Sequence, residues 1–483
     1  MNFKYLFISV LLVLTSIANA DISEQKITNI TFYQVMQRVL ERYPSLKIAE
    51  MEVEQAIEQK REIESGLGWI LNSTVGVTHD LTGIGTPSDR LDLSSSINRQ
   101  LKSGATLSLS GGYRYEDSSL SFSPVLPNPA HTTRLDLSYR VPLSQGNGNP
   151  VYIEGLATAE AAHELAKANL SLLRISLTEQ VKEIFYSFLL LDKRIENAKA
   201  SVNHTKKLTL FIKKNINLGL SERKDRLQIK AQLDSKLAEL SAIQLQWTQL
   251  RNSLNRLMLE KWASNIQPIL LSNISVKPSK VDTLILITKA YHPIIKIARA
   301  KLDVAQSQIN SAKDIKKDNV DLVMSVGTRT SNGENTTSTV SEQNWAGAVS
   351  IQYKHLFDDS GVTSKYKKAL IEKSIAVQDV QKANDDIYYT VFGLTSEIAL
   401  AKSAVNKSYQ RFKSESLKLK EAEERFRTGR VDTAQLIQFQ NELSFAELNY
   451  QNQKVDLNKR IIELQIYSGQ FWEELNKYKG IRK

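Results

Sequence analysis

The stretch LGLSERKDRLQIKAQLDSKLA at residues 218–238 decides the fold, because it returns as TGRVDTAQLIQFQNELSFAEL at residues 428–448. A second matched pair opens each half: ERYPSLKIAEMEVEQA at residues 41–56 and KAYHPIIKIARAKLDVAQ at residues 289–306. Two long copies in the same order indicate an internal duplication. The sequence therefore predicts one fold built from two repeats, residues 21–270 and 271–483.

The first 20 residues have the pattern of a signal peptide, with Lys4, an apolar segment at 6–17 and a small-residue cleavage site, Ala-Asn-Ala, at 18–20. The mature chain is then expected to begin at Asp21. No later apolar run approaches the roughly 20 residues that a spanning helix needs. The chain has no cysteine, which excludes disulfides, thiolate chemistry and a lipid-modified N-terminal cysteine.

Charge and motif content argue against nucleic-acid binding and against catalysis. The 63 Lys and Arg exceed the 52 Asp and Glu only mildly, and both signs are interspersed along the helices as on a solvated surface. The six histidines lack metal-ligand spacing, and there is no dinucleotide-binding, P-loop or nucleophile-elbow motif. We expect no catalytic residue, cofactor, metal or nucleic-acid partner, so energy for any transport must come from another protein.

Hydrophobic periodicity predicts six helices, at about 31–64, 151–216, 221–261, 281–313, 361–427 and 431–467. The second and fifth of these helices would each be about 100 Å long, at about 1.5 Å per residue. Apolar residues recur at heptad spacing after each matched glycine, which favours coiled-coil packing. The chain is therefore predicted to be mainly α, with long antiparallel helices.

Between these helices the period changes to 2, which predicts strands at about 70–143 in the first half and a hairpin at about 319–356 in the second. Long polar loops (82–89, 116–131, 331–343) alternate with a tight turn at 100–104, as in a transmembrane β-barrel wall. An amphipathic soluble sheet is the alternative. The spacing of the repeats favours six strands per chain over four; neither number closes a barrel, so several chains would have to share one.

The chain resembles the TolC-like outer-membrane efflux protein family over essentially the whole mature sequence. The resemblance lies in the duplicated helix–β–helix–helix order, in the two glycine turns at 217–221 and 426–429, in the segment LFDDSG at 356–361, and in Val141-Pro142-Leu143. It implies a homotrimer whose inserted strands share one transmembrane β-barrel and whose helices form a coiled-coil α-barrel in the periplasm.

In function, the resemblance implies a passive exit duct in the outer membrane of a Gram-negative bacterium. The duct would belong to a tripartite efflux pump or a type I secretion system. Its helix-turn-helix tips would dock a periplasmic adaptor that connects it to an inner-membrane pump or ABC transporter. The expected docking residues are Gly219, Leu220, Ser221, Gly429, Arg430 and Val431.

The resemblance also places a periplasmic gate near the tips, with candidates Asp225, Phe426, Gln435 and Gln438. The chain departs from the family here, because Gln435 and Gln438 occupy positions of acidic residues and cannot form a charged ring. Val431 occupies the position of the arginine that usually pairs with the acid at 225; Arg427 or Arg430 could replace it. Two other classes stay open: a trimeric coiled-coil surface or structural protein, and a soluble periplasmic helical binding protein.

Overall fold

The computed structural model describes residues 28–80, 88–118, 127–217, 222–262, 264–269, 280–334, 338–428 and 430–480. The predicted signal peptide lies outside these residues. Within them the chain forms nine helices: α1 (Phe32–Arg42), α2 (Pro44–Ser65), α3 (Pro150–Asn217), α4 (Arg223–Leu257), α5 (Val281–Tyr291), α6 (Pro293–Ile315), α7 (Ser360–Arg427), α8 (Thr433–Ser468) and α9 (Gln470–Gly480). Helices α3 and α7, each of 68 residues, confirm the two long helices predicted from periodicity.

The same residues form eight strands: β1 (Thr28–Ile30), β2 (Trp69–Asp80), β3 (Ser88–Gln100), β4 (Thr106–Ser118), β5 (Ala130–Pro142), β6 (Ile266–Pro268), β7 (Asn319–Glu334) and β8 (Thr339–Lys354). By internal contacts the chain divides into two compact units, and α3 and α7 contribute residues to both. We call residues 49–170 and 293–384 the sheet unit, and residues 1–48, 171–292 and 385–483 the helix unit.

Two of the six predicted helices are each broken in two. The segment predicted as 31–64 divides at Tyr43, and the segment predicted as 281–313 divides at His292; both residues are extended, with ψ of 121° and 129°. The cause is the proline that follows each of them, which disfavours the helical conformation in the preceding residue and itself fits the first position of a new helix. The predicted continuous helices were therefore wrong at these two positions.

The C-terminal segment after α8 is a helix rather than an irregular tail. Gly469 ends α8 in the left-handed conformation, with φ of 81°, and α9 begins directly afterwards. Phe471 and Leu475 of α9 are buried. The ring of Phe471 lies 5.7 Å from that of Phe32 in α1, so the last helix contributes to the core of the helix unit.

The core of the helix unit is built around aromatic rings from α1, α3 and α9. The ring of Phe32 lies 5.7 Å from Phe185 and 5.9 Å from Tyr186, and all three side chains are buried. Burying each such side chain stabilises the fold by about 1.5–3 kcal/mol. Next to α1 in sequence, β1 pairs in parallel with β6. Hydrophobic periodicity does not predict this small sheet.

The sheet unit contains one six-stranded antiparallel sheet in the order β2-β3-β4-β5-β7-β8. Four strands come from the first half of the chain and two from the second, as the repeat spacing predicts. Strands β5 and β7 join the two halves, with Leu137 opposite Val326. The tight turn between β3 and β4 closes at Gly104, where φ is 88° and an added Cβ would lie 2.1 Å from the carbonyl oxygen of Gly146. Only glycine fits there.

Candidate functional site

The register of the sheet sorts its side chains onto two chemically different faces. Residues directly opposite each other in an antiparallel pair point to the same side of the sheet. One side, the apolar face, carries exposed large hydrophobic residues from all six strands: Leu71, Val75, Val77, Leu93, Leu109, Leu135, Leu137, Val326, Trp345, Val349 and Ile351. Val77 is 80% exposed and Val349 is 74% exposed.

Charged residues bound the apolar face at both ends. On β3, Asp89 and Arg99 lie on this face, with Leu91, Leu93 and Ile97 between them. Arg99 is placed over the ring of Trp69, 5.5 Å from its centroid. At the other end, Asp89 lies opposite Asp117 of β4 and contacts His79 of β2. The apolar face is therefore a band of limited height.

The opposite side, the polar face, carries the ion pairs of the sheet. Arg114 Nε lies 2.6 Å from Asp92 Oδ1, Arg134 Nε lies 2.9 Å from Asp136 Oδ2, and Arg90 pairs with Glu116 at 3.3 Å. Arg140 forms a further ion pair with Asp321, a carboxylate that is almost fully buried. Such a face suits contact with water.

The sheet has two unpaired edges within the described residues. Strand β2 pairs only with β3, and β8 pairs only with β7. These edges are long, with 12 residues in β2 and 16 in β8, and almost every side chain of β8 is exposed. A long, exposed apolar edge strand offers its free N–H and C=O groups to another chain.

The second candidate region lies where α3 ends, α4 begins, α7 ends and α8 begins. Six buried residues from these four helices form what we call the tip cluster: Leu208, Ile212, Ile229, Leu419, Ala422 and Leu436. Phe426 and Val431, two of the predicted tip residues, pack against it. The ring of Phe426 lies 5.4 Å from that of Phe211. The two helix hairpins are thus joined to each other by an apolar core.

The predicted docking residues Gly219, Leu220, Ser221 and Gly429 lie outside the described residues. Arg430 is described: its side chain is exposed, and its N–H donates to the carbonyl oxygen of Arg425 at 2.9 Å. Val431 is partly buried against the tip cluster. Of the docking candidates, the described part of the chain therefore presents Arg430 to solvent and uses Val431 in packing.

Asp225, a predicted gate residue, caps its own helix. The N–H of Glu222 donates to Asp225 Oδ2 at 3.0 Å, so the carboxylate satisfies a free donor at the start of α4. In the second hairpin the roles are reversed, because the acid is the N-cap residue itself: the N–H of Gln435 donates to Asp432 Oδ1 at 2.7 Å. The two tips share this acidic capping chemistry, which also suits the positive end of the helix dipole.

Gln435 and Gln438 are both exposed on the first turns of α8. Gln438 donates from Nε2 to Glu442 Oε1 at 2.8 Å, and Glu442 in turn pairs with Lys418 of α7 at 2.5 Å. The hydrogen bonds that Lys418 donates to Glu415 and Glu442 raise the pKa of Lys418, and the hydrogen bonds that Glu442 accepts from Lys418 and Gln438 lower the pKa of Glu442. Residue spacing could have suggested the Gln438–Glu442 contact, but Lys418 and Glu442 were not among the predicted gate residues.

The described residues contain no group of three or more histidine or acidic side chains arranged to hold a metal ion. None of the described helices is both long and apolar enough to cross a membrane.

The chain has the fold of TolC-like outer-membrane channels. It resembles VceC, an outer-membrane protein of Vibrio cholerae, at 15% identity with a TM-score of 0.67, over 91% of this chain and 96% of VceC. The MtrE outer-membrane channel of Neisseria gonorrhoeae matches at 16% identity with a TM-score of 0.62, over 91% of this chain and 88% of MtrE. The CmeC outer-membrane channel of Campylobacter jejuni matches at 14% identity with a TM-score of 0.63, over 91% of this chain and 86% of CmeC. MtrE and CmeC are outer-membrane channels.

No family model matches the sequence, and no curated protein matches it. The likeness to solved structures confirms the predicted TolC-like fold.

Proposed function

We propose that the protein is a passive exit duct in the outer membrane of a Gram-negative bacterium, serving a tripartite efflux pump or a type I secretion system. The observation that carries the proposal is the apolar band on one face of the six-stranded sheet. Leaving large aliphatic side chains such as Val77 and Val349 in water forgoes about 1.5–3 kcal/mol each. Lipid contact on this face would recover that free energy.

The height of the band supports insertion in a membrane. From Asp89 to Arg99, a strand rises about 33 Å at about 3.3 Å per residue. Strands of a transmembrane barrel tilt by roughly 40°, which reduces this rise to about 25 Å along the membrane normal. That value equals the height of the apolar band of such barrels. Charged residues at both ends of the band would then lie in the two interfaces.

The two open edges support a barrel shared by several chains, and the resemblance to the TolC-like family suggests three. Backbone groups in the hydrocarbon region need partners, so β2 and β8 cannot remain unpaired there. If β8 of one chain pairs with β2 of the next, three chains with six strands each close a barrel of eighteen strands, an even number as expected for bacterial barrels. The equal lengths of α3 and α7 support two repeats in each chain, and in a trimer these repeats would supply six helix hairpins.

We propose that the tips dock a periplasmic adaptor, which joins the duct to an inner-membrane pump or ABC transporter. The exposed Arg430 and the residues predicted at 219–221 and 429 would contact it. The tip cluster would hold the two hairpins of a chain as one docking surface. We also place the gate here, with Gln435 and Gln438 lining the opening and Asp225 and Phe426 fixing the hairpins.

The test is single-channel conductance of the detergent-purified mature protein in a planar bilayer, measured together with its mass in solution. Trimeric mass with a small, steady conductance is expected, because the tips are closed without an adaptor. Gln435→Ala and Gln438→Ala should increase the conductance. A monomer without conductance would overturn the duct and favour the soluble binding protein. A trimer without conductance that resists urea extraction from outer membranes would favour a structural protein.

A further inference from the structure

One row across the polar face carries two arginines side by side. Arg134 of β5 lies directly opposite Arg329 of β7. Their Cβ atoms are therefore within about 5.5 Å, a placement in which like charges destabilise a sheet. The whole row, read from β2 to β8, is Thr74, Ser94, Gly112, Arg134, Arg329 and Asn344. It contains no acidic residue to offset the two charges.

Acids in the neighbouring rows compensate these arginines incompletely. Asp136 pairs with Arg134, and Asp92 pairs with Arg114. Arg329 forms no ion pair with any described residue, including Glu342, the nearest acid along β8. The segments between strands that lie outside the described residues, 81–87, 119–126 and 335–337, contain no Asp or Glu. The row therefore carries an uncompensated positive charge.

These side chains line a groove rather than a flat surface. The groove has a volume of about 350 Å³, and its polar lining is Ser94, Arg114, Thr132, Arg134 and Arg329 together with one carboxylate, Asp92, which is paired with Arg114. Gly112 lies directly opposite Arg134 and leaves space beside it. Three guanidinium groups and two hydroxyls supply hydrogen-bond donors from four strands. Donors of this kind match the oxygens of a phosphate or carboxylate group.

We propose that this groove binds oxyanions and makes the duct anion-selective. A guanidinium presents paired N–H donors that hold a phosphate or carboxylate in two parallel hydrogen bonds, and rings of arginine favour anions in pores. The ligand class is a small oxyanion, either free or as part of an exported substrate. An anion placed between Arg134 and Arg329 removes the repulsion between their two charges. The selectivity rests on the proposed function; oxyanion binding by the groove does not.

The experiment has two parts. Reversal potential in a KCl gradient gives the selectivity of the purified protein in a bilayer, and calorimetric titration with inorganic phosphate, at constant ionic strength, gives binding in detergent. Wild type is expected to prefer chloride over potassium and to bind phosphate. Arg134→Gln and Arg329→Gln should each weaken phosphate binding about tenfold or more and reduce the anion preference.

Two further variants make the result specific. Arg329→Lys keeps the charge but loses the paired donors, so it should keep the anion preference and still weaken phosphate binding. Arg99→Gln removes the same charge from the apolar face and should leave both measurements unchanged.

A conducting channel with no anion preference and no phosphate binding would overturn the inference and leave the duct intact. Absence of conductance would overturn the duct; phosphate binding lost in Arg329→Gln would then still support the groove, and absence of binding would overturn it.

Discussion

His292 shows how one buried titratable side chain can make the helix unit sensitive to pH. It is 2% exposed, and its ring lies 4.4 Å from that of Tyr467. Burial lowers its pKa from 6.5 to about 4, because the charged imidazolium loses its hydration there. The folded protein therefore binds fewer protons at this position than the unfolded chain does between pH 6.5 and pH 4.

Because of His292, we expect the free energy of unfolding to fall by about 3 kcal/mol as pH is lowered from about 6.5 to about 4. This contribution to stability is fully present above pH 6.5, the pKa of the histidine in the unfolded chain. It is lost as pH falls to about 4, its pKa in the folded protein. Urea unfolding of the detergent-solubilised protein across this range measures the effect. His292→Gln should flatten the pH dependence, and His204→Gln, at an exposed position on α3, should not. Equal slopes in both variants would contradict the assignment.

Lys418 and Glu442 link α7 to α8 beside the predicted gate. Glu442→Gln should weaken this link, because it removes the charge that Lys418 pairs with, and the single-channel conductance should rise. The side chains of Lys418 and Glu442 are 40% and 34% exposed, so water still screens the pair, the link itself is weak and the effect should shrink at high salt. Glu424→Gln, an exposed change on α7, is the matched control. Unchanged conductance in Glu442→Gln would exclude this ion pair from gating.

At the scale of single elements, the join between α8 and α9 depends on one glycine. Gly469 has φ of 81°, and a Cβ added there would lie 2.6 Å from Cδ1 of Tyr291. The left-handed conformation alone costs a residue with a Cβ about 1–2 kcal/mol.

Gly469→Ala should therefore lower the free energy of unfolding by roughly 2 kcal/mol or more. Gly393→Ala is the matched control: Gly393 lies inside α7, nothing is within 4 Å of the added Cβ, and alanine should stabilise the helix by about 0.5–1 kcal/mol. Thermal unfolding of the two variants should show opposite shifts. Shifts of the same sign would contradict the packing of α9.

Periodicity predicted the elements that repeat a pattern many times, namely α3, α7 and the six strands of the sheet. It missed β1 and β6, because three residues are too few to show alternation. It also missed α9, because Gly469 interrupts the helical pattern just before this helix. The prolines that follow Tyr43 and His292 indicate the helix breaks at these two residues. The Lys418–Glu442 pair and the Arg134–Arg329 pair depend on which helix or strand lies alongside which, and sequence spacing does not contain that information.

At the scale of the whole molecule, the edges of the sheet make the oligomer testable, because the chain has no native cysteine. Thr74→Cys on β2 should form disulfides with one of Asn344→Cys, Ala346→Cys or Ala348→Cys on β8 of a neighbouring chain. Oxidation and denaturing electrophoresis should give a ladder that ends at three chains. Thr74→Cys combined with Ser110→Cys, on the inner strand β4, should remain monomeric. Monomers in all three edge combinations would contradict the shared barrel.

The open edges of β2 and β8 also affect how such a protein would be made. A single chain entering lipid would carry two rows of unsatisfied backbone groups, each costing several kcal/mol. In the proposed trimer, chains would therefore have to meet before or during insertion, while the same edges are exposed to wrong pairing. The rate of membrane insertion should then rise with more than the first power of the protein concentration. Dilution should slow assembly far more than it slows the folding of the helix unit.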